Sequence, residues 1–550
     1  MKQDPTPLRA AVIVLSAALI VACAGGDDGP GRAGTPEPRA ALFDTILART
    51  ERREAFSPVK NERLGLEPLA AMSALRDKVV SAETDDELYY ALARLSHARR
   101  DRHLDVILVP GGLALSYSAG LEVAGGPDPD PPGRAPVRVF PDYSDGSGGA
   151  DYFVGDIAAF PADSGAAENQ PALPSVGDRI VSVNGMPVAA WHDSAAAFIQ
   201  HSTRAGLRWK LAEAMTLATA AFPPHLRGDH LTLGVRSAAG DETTHRLPFL
   251  PPGDLFWHGT GEPSYPGLAL ALTTDTYDLL VPEDGRPFLL LIWRGFRESM
   301  VADVDGLIAY AQSHGLLDHA LVMDVTRSRG GSLGAYAMQR LQPRPFRTTF
   351  GNLRISDVTL PFVEDKRRDF AARDINDGGV PETIDDGTWL MDWLEDDVLG
   401  ALERGDAYSN NVPFKLAHAP RDSDGILEPA AVHFRGAFGV ISGPHGGSHL
   451  DQFVSIVVDN GLGPVVGMPP GGYSNTWEWD EVLTFPGTDQ PVVEFMWNIG
   501  HTIRPNGEIA EGNPAGVDAW MPLTPGNVTS YYEEMLARVL DLMLNPAGRG

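Results

Sequence analysis

The sequence predicts a multidomain α/β protein. The chain has 550 residues, of which 43% are hydrophobic and 21% are charged, so it is long enough to form more than one hydrophobic core. Apolar residues follow helical spacing near the N-terminus, alternate with polar residues in the middle, and form separate strand-like and helix-like segments later. We therefore expect an N-terminal helical segment over residues 41–125, a β-rich domain over 136–250 and an α/β domain over 285–545.

Charge and cysteine content exclude several classes of function. The formal net charge is -29 and is spread along the chain, whereas a partner with a phosphate backbone requires a basic surface. Nucleic-acid binding is therefore not expected. With one cysteine, the chain forms no intramolecular disulfide and has no multi-cysteine metal site. We expect no metal and no cofactor.

The N-terminus has the pattern of a secreted lipoprotein. Two basic residues precede an apolar run from Ala11 to Ala22, which is too short for a comfortable membrane span. The residues before Cys23 resemble a bacterial lipobox, in which the cysteine is lipidated; the alternative is an ordinary signal peptide with a chance cysteine. We expect a signal peptide over 1–22 and a Gly/Pro/Asp-rich flexible tether over 23–40. Ala24 after the cysteine resembles the signal for outer-membrane sorting, so we expect an envelope location.

The first region contains a histidine at a helix end. Asp85 to Arg100 starts with acidic residues, ends with basic ones and places its leucines on one face, which predicts a helix. His103 follows directly, before a strand-like run from Val106 to Val109. Such a histidine is either a surface or C-capping residue or a functional base.

The middle region predicts β-hairpins. Val176 to Val188 alternates apolar residues around an Asn-Gly turn, and this string resembles the corresponding strand and turn of a PDZ-like domain. His230 to Leu250 fits the last hairpin of such a domain. The resemblance implies a groove that binds an extended peptide by strand addition.

The α/β region alternates strands with helices. Phe288 to Trp293 and Ala320 to Val325 are predicted as buried strands, with a helix over Val304 to Ser313 between them. The second strand leads into a loop with Gly330 and Gly331, where the backbone can come close to a ligand. A polar excursion over 364–424 follows, which we interpret as a lid or a variable insertion.

Ser448 ends the glycine-rich turn Gly-Pro-His-Gly-Gly-Ser. The turn lies between a predicted strand, Ala437 to Ile441, and a predicted helix, His449 to Val458. A serine there presents its hydroxyl at a helix N-terminus, whose N–H groups and dipole stabilise an oxyanion. The alternative is that Ser448 only caps the helix.

These motifs together resemble the C-terminal processing (tail-specific) serine peptidases over about residues 41–545. The shared order is a helical segment, a PDZ-like module, a strand with a Gly-Gly loop, and a strand with a Gly-Gly-Ser turn. An acid three residues after the serine, here Asp451, and an Asp-x-Gly turn, here Asp459 to Gly461, also fit that pattern. The resemblance implies a core of the ClpP/crotonase-like type with Ser448 as nucleophile.

One departure from the family pattern selects a branch. The better-known branch uses a lysine after the serine, but no lysine follows Ser448 in this chain. Another branch, resembling the tricorn core and the chlamydial protease-like factor, uses Ser, His and Glu. By that resemblance His103 is the base and Glu511 the orienting acid, with Glu508 and His501 in reserve.

The remaining site residues follow from the same resemblance. Backbone N–H groups near Gly330, Gly331 and His449 would form the oxyanion hole. His445 and His449 flank Ser448, but neighbouring positions rarely supply the geometry of a Ser-His pair.

Two functions remain open at this stage. The first is a lipid-anchored serine endopeptidase of the cell envelope that cleaves unfolded or tail-exposed polypeptides through an acyl-enzyme. The second is a catalytically inactive peptide-binding scaffold with the same fold. In either case polypeptides are the expected partners, and contact with a membrane is expected only through the lipid anchor.

Overall fold

A computed structural model describes most of the chain after the first 32 residues. The described ranges are 33–123, 126–127, 133–146, 148–159, 172–297, 299–372, 388–413, 424–475 and 477–545. The predicted signal peptide and Cys23 lie outside them. Within these ranges no helix is both long and apolar enough to cross a membrane.

The first described region is helical, as predicted. Its helices and following short strands are α1 (Pro36–Arg53), α2 (Ser57–Leu64), α3 (Pro68–Ser73), α4 (Arg76–Val80), α5 (Asp85–His97), β1 (Val106–Ile107), β2 (Glu122–Val123) and β3 (Gly126–Pro127). The predicted tether over 23–40 is wrong for its last residues, because α1 already begins at Pro36. Proline suits a first helical turn, and buried Leu42 and Phe43 hold the helix on the core.

The middle region forms a seven-stranded antiparallel sheet with two helices. Its elements are β4 (Val137–Pro141), β5 (Tyr152–Ala159), β6 (Arg179–Val183), β7 (Met186–Pro187), α6 (Val188–Ala196), α7 (Arg204–Met215), β8 (His230–Arg236), β9 (Glu242–Pro248) and β10 (Phe256–Trp257). The sheet order is β10-β5-β6-β8-β9, with β4 on β5 and β7 on β6. The two predicted hairpins are confirmed as β6–β7 and β8–β9, because both turns fall at Asn-Gly or Gly-Asp.

Strands and helices alternate in the last region of the chain, which begins at Leu268, before the predicted boundary at residue 285. Its first half contains β11 (Leu268–Thr273), β12 (Tyr277–Pro282), β13 (Phe288–Trp293), α8 (Met300–Ser313), β14 (Ala320–Asp324), α9 (Gly334–Leu341), β15 (Phe346–Arg347), β16 (Phe350–Leu353), α10 (Thr359–Ala372), α11 (Thr388–Asp392), a π-helix (Trp393–Val398), α12 (Leu399–Arg404), β17 (Val412–Pro413) and β18 (Ile426–Leu427). Its second half contains β19 (Phe438–Ser442), α13 (His449–Asp459), β20 (Val465–Gly467), β21 (Glu478–Thr484), β22 (Pro491–Asn498), β23 (Gly500–Ile503), β24 (Ala519–Trp520) and α14 (Tyr531–Leu544).

The central sheet of this domain has helices on both faces. Its order is β11-β12-β13-β14-β19-β20-β24, and the strands from β13 onward run parallel. Side chains of one face, such as Leu291 and Val440, pack with α8, α9 and α13, whereas Leu290 and Ile441 of the other face pack with α14. Strands covered on both faces are continuous apolar runs, which is why the sequence predicted them.

Two further contacts position the site. Strand β1 pairs antiparallel with β22, Val106 opposite Phe495, so the chain just after α5 is held beside the C-terminal region. In the described part of the polar excursion, Trp393 is buried and stacks on Trp477 with ring centroids 6.1 Å apart. That part is therefore anchored to the core.

Candidate active site

Ser448 lies at the junction of β19 and α13, at the carboxyl end of a parallel strand. Its backbone has φ 62° and ψ -126°, a region that residues with a Cβ rarely adopt. Its side chain makes no capping hydrogen bond, so the interpretation of Ser448 as a helix cap is wrong. Instead its N–H donates to the carbonyl of Tyr473 at 2.6 Å. The hydroxyl is left available for chemistry.

The Gly-Gly loop after β14 lies directly against Ser448. A Cβ added at Gly330 would lie 2.6 Å from the Cβ and 3.1 Å from the Oγ of Ser448, so only glycine fits there without displacement. Gly331 has φ 140° and packs against the backbone of Phe296, which also requires glycine. The loop therefore lies where the oxyanion hole was predicted, next to Ser448, and its role there stays a prediction.

His103 is presented by a tight turn after α5. Arg100 adopts a left-handed φ of 51°, and the buried carboxylate of Asp101 accepts a hydrogen bond from the His103 N–H at 2.9 Å. His103 Nδ1 lies 3.7 Å from Asp101 Oδ1, an electrostatic contact longer than a hydrogen bond. The Asp101 side chain is fixed in turn by Asn498, whose amide donates to it at 2.9 Å.

Tyr473 stands between the histidine and the serine turn. Its ring packs edge-on against the His103 ring with centroids 5.0 Å apart, and the Arg102 guanidinium lies 4.1 Å from its centroid. Among the described residues no hydrogen bond joins His103 to Ser448 Oγ. Both predicted partners therefore contact Tyr473, His103 through the ring and Ser448 through the carbonyl, without a hydrogen bond between them.

Glu511 joins the histidine cluster, and Glu508 does not. The Glu511 side chain is fully buried, and its Oε2 accepts a hydrogen bond from the Ser474 N–H at 2.8 Å. Ligand atoms of Asp101, His103 and Glu511 all lie within 4.8 Å of one another. Glu508 is exposed and accepts from Asn513 Nδ2 at 2.9 Å, so the structure favours Glu511 over its reserve.

The other histidines are occupied elsewhere. His449 Nε2 accepts from the Gly334 N–H at 2.6 Å, and burial lowers its pKa to about 4. His501 is held by the carbonyl of Ala55 at 2.8 Å, and burial lowers its pKa to about 4 as well. His445 faces Glu213, with Nε2 and Oε1 3.3 Å apart. None of these three rings is placed as a base for Ser448.

The segment after β20 is tied to the serine turn. The buried Asp451 carboxylate accepts hydrogen bonds from the N–H groups of Gly472 and Tyr473 at 3.0 and 3.1 Å. These donors favour the charged form, but burial outweighs them and raises the pKa of Asp451 to about 7. The acid three residues after the serine thus holds the backbone that bonds to Ser448.

Nearby carboxylates raise the pKa of His103. Burial lowers the pKa of His103, but the carboxylates of Asp101, Glu478 and Glu511 outweigh burial and raise it above the usual value. Burial and the charge of Asp101 raise the pKa of Glu511, whereas contacts with His103 and Lys60 hold the pKa of Asp101 low. The imidazolium form is therefore stabilised by its surroundings.

Two residues of this cluster were not assigned a role from the sequence. Asp101 stands two residues before His103, a spacing typical of a carboxylate that bonds its own turn, so a signal existed. Lys60 of α2 lies 3.7 Å from Glu511 Oε1, and nothing in the sequence near it indicates that contact.

Asp101, His103 and Glu511 are also residue types that bind Zn²⁺. Their spacing of up to 4.8 Å would have to contract for a metal ion with bonds of about 2.0–2.2 Å. The ammonium group of Lys60 already supplies positive charge at Glu511. The cluster is thus better suited to acid–base chemistry than to metal binding.

The fold is similar to that of mature CPAF. A crystal structure of mature CPAF matches with a TM-score of 0.67 at 16% identity, over 93% of this chain and 98% of that chain. CPAF complexed with lactacystin matches with a TM-score of 0.66 at 16% identity over the same shares, and a CPAF mutant with 0.64 at 15% identity. No protein-family model and no curated protein sequence matches the chain. The resemblance predicted from the sequence is thus confirmed for the fold.

Proposed function

We propose that this protein is a serine endopeptidase with Ser448 as nucleophile. The observation that carries the proposal is the strained strand-to-helix turn at Ser448, which faces the Gly330 loop. A buried acid–base cluster around His103 lies next to it across Tyr473. The fold likeness to the CPAF structures supports the same conclusion.

In this proposal the serine attacks a peptide carbonyl and forms an acyl-enzyme. His103 takes the proton from Ser448 Oγ and returns it to the leaving amine, and Glu511 stabilises the imidazolium. N–H groups of Gly330, Gly331 and His449 stabilise the tetrahedral oxyanion, each worth about 2.7–4 kcal/mol in comparable sites. A water activated by His103 then releases the acyl group.

This chemistry requires His103 to move towards Ser448. In the described conformation its ring packs on Tyr473, and catalytic hydrogen bonds commonly tighten only when substrate binds. The His103 side chain is 18% exposed, so it is not fully enclosed by its neighbours. We expect substrate binding to bring the two side chains into contact.

The remaining parts of the proposal concern delivery and location. We propose that the middle sheet domain is PDZ-like and binds unfolded or tail-exposed polypeptides, and that the α/β domain is a ClpP/crotonase-like core. We also propose that Cys23 carries a lipid anchor at the cell envelope. Incorporation of a palmitate analogue in cells, lost in Cys23→Ser, tests the anchor.

Fluorophosphonate labelling and casein cleavage test the catalytic proposal. The wild-type protein should label and cleave, and Ser448→Ala should do neither. Ser455→Ala is a matched control, because its hydroxyl only bonds the carbonyl of Gln452 at 2.7 Å within the same helix. His103→Ala should remain folded and lose turnover by orders of magnitude. Full activity in Ser448→Ala or His103→Ala would overturn the triad.

A catalytically inactive peptide-binding scaffold is the second candidate. The observation that favours it is that no hydrogen bond joins Ser448 to His103 among the described residues. In that case the wild-type protein would not react with the fluorophosphonate and would not cleave casein, but it would still bind casein.

A further inference from the structure

We propose that Lys60 is a positioning residue for the acid–base cluster. Its ammonium group joins the turn that presents His103 to the buried carboxylate of Glu511. This inference rests on the proposed peptidase function, because it assigns Lys60 a part in keeping that function's base and acid in place.

The contacts of Lys60 are made from a buried position. The side chain is 2% exposed, and Nζ donates to the carbonyls of Arg99 and Arg100 at 2.9 and 2.8 Å. The same Nζ lies 3.7 Å from Glu511 Oε1. One ammonium group therefore joins the backbone just before Asp101 to the side chain of Glu511.

A buried ammonium group needs such partners. Removing a charge from water costs several kcal/mol, so buried lysines are found with acceptors and counter-charges. Here two carbonyls accept from two of the three N–H donors, and the nearby carboxylates supply the opposite charge. Because Arg100 has a left-handed backbone, the turn it belongs to is strained, and bonds to its carbonyl help to maintain it.

Lys60 is the nearby cation that acts on Glu511 and Asp101, whereas Arg99 pairs with Glu54. The titratable groups that face the cluster from the surrounding elements are Glu54, Asp101, His103, Tyr473, Glu478 and Glu511. The charge of Lys60 opposes the rise of the pKa of Glu511 that burial and Asp101 cause. The pKa of Glu511 is about 8 with Lys60 in place, so without Lys60 a still smaller fraction of Glu511 would be ionised at neutral pH to stabilise an imidazolium.

Replacing Lys60 by methionine tests the inference. An opposite charge within about 4–6 Å shifts a carboxyl pKa by about 1–3 units, so Lys60→Met should raise the pKa of Glu511 by about one unit or more. The acidic limb of the kcat/KM profile should move to higher pH. At pH 7 kcat should fall by roughly tenfold or more with KM nearly unchanged, as expected for a transition-state interaction. Lys60→Arg should restore most of the rate.

The structure offers a second variant and a matched control. A cavity of about 390 Å³ borders Lys60 and Glu511, so methionine, arginine and glutamine all fit at position 60. If Lys60→Met does not fold, Lys60→Gln replaces it, because glutamine keeps a hydrogen-bond donor without the charge. Lys78→Met removes an exposed lysine from the same helical region and should change nothing.

A titration separates this inference from the peptidase proposal. Carbon-13 labelling of the glutamate carboxyls in the Ser448→Ala protein, assigned with Glu511→Gln, measures the pKa of Glu511 without any turnover. An upward shift in Lys60→Met supports the role of Lys60, and an unchanged titration overturns it, whether or not the wild-type protein cleaves casein. If the wild-type protein is active and Lys60→Met has the same pH profile of kcat/KM, the inference is also overturned.

Discussion

The backbone at Ser448 is held in a costly conformation by its neighbours. A non-glycine residue in such a region costs about 1–3 kcal/mol. The cost is offset by the bond from the Ser448 N–H to Tyr473 and by Asp451, which holds the N–H groups of Gly472 and Tyr473. A strained residue at the end of a parallel strand is typical of a functional position, since structure alone gives no reason for the strain.

Gly330→Ala tests how closely the loop must approach the serine. The added Cβ would lie 2.6 Å from Ser448 Cβ and 2.9 Å from the Gly447 carbonyl, so the loop must move away. We expect kcat for casein cleavage to fall by roughly 100-fold, as for the loss of an oxyanion donor. The free energy of unfolding should change little, because the loop lies at the surface, at the carboxyl edge of the sheet.

Gly516→Ala is the control for that substitution. No atom lies within 4 Å of a Cβ added at Gly516, and this residue belongs to the same domain. Steady-state kinetics of casein cleavage measure kcat for both variants, and urea unfolding measures their stability. Unchanged kcat in Gly330→Ala would show that the loop does not take part in the reaction.

Single residues were predictable from the sequence where they stand in a short motif. Ser448 and the paired glycines stand in short motifs, and Glu511 was chosen over Glu508 by resemblance. Lys60 could not be found in this way, because its role depends on contacts with Arg100 and Glu511, which lie far along the chain. Only the fold brings them together.

Among the elements, strand-turn-helix units of the α/β domain were predicted well. Strand β13 has the predicted bounds, and α13 was predicted to within one residue at its end. Buried strands and amphipathic helices leave strong local patterns. Helix ends leave weaker ones: α5 ends at His97 rather than Arg100, because the chain there turns to bring Asp101 into the core.

Helix α7 of the middle domain is coupled to the serine turn through its N-cap. Thr203 Oγ1 accepts from the Gly206 N–H at 3.2 Å and donates to the carbonyl of Gly471 at 2.9 Å. Thr203→Val should lower the free energy of unfolding by about 1 kcal/mol, the usual value of an N-cap. It should also lower kcat, because Gly471 belongs to the segment that bonds Ser448. Urea unfolding and casein kinetics measure both effects.

Thr84→Val separates a capping effect from a catalytic one. Thr84 caps α5 through the Glu87 N–H at 3.2 Å, and no hydrogen bond links it to the serine turn among the described residues. We expect a similar loss of stability with unchanged kcat. Equal kinetics in the two valine variants would disprove the coupling through Gly471.

Across the whole molecule, the site is assembled from segments distant in sequence. The pairing of β1 with β22 places His103 beside the C-terminal region, and one hydrophobic core joins the N-terminal helices, the middle sheet and strands β21 and β22. Periodicity in a sequence identifies each element but not its partners. The order of regions was therefore predictable, whereas the contact between the first helices and Glu511 was not.

Buried titratable groups make the stability of the whole molecule depend on pH. His201, His449 and His501 have pKa values lowered to about 4, mainly by burial. Their neutral forms stabilise the fold above the unfolded value of 6.5, and this contribution is lost as the pH falls towards 4. Buried acids with raised pKa values act in the opposite direction, so the two sets partly cancel between pH 4 and 6.5.

Above pH 6.5 these three histidines no longer titrate, whereas His103 and the buried acids with raised pKa values lose protons that stabilise the fold, so stability should fall. Folded Asp451 keeps its proton up to about pH 7, whereas the unfolded chain releases it near pH 3.8, so its contribution is lost as the pH rises through 7. Between pH 6.5 and 8.5 this group alone should lower the free energy of unfolding by about 1 kcal/mol. Urea unfolding at both pH values should show the decrease in the wild type and in Asp489→Asn, an exposed control, and a smaller decrease in Asp451→Asn. The same decrease in all three proteins would mean that Asp451 is ionised throughout this range.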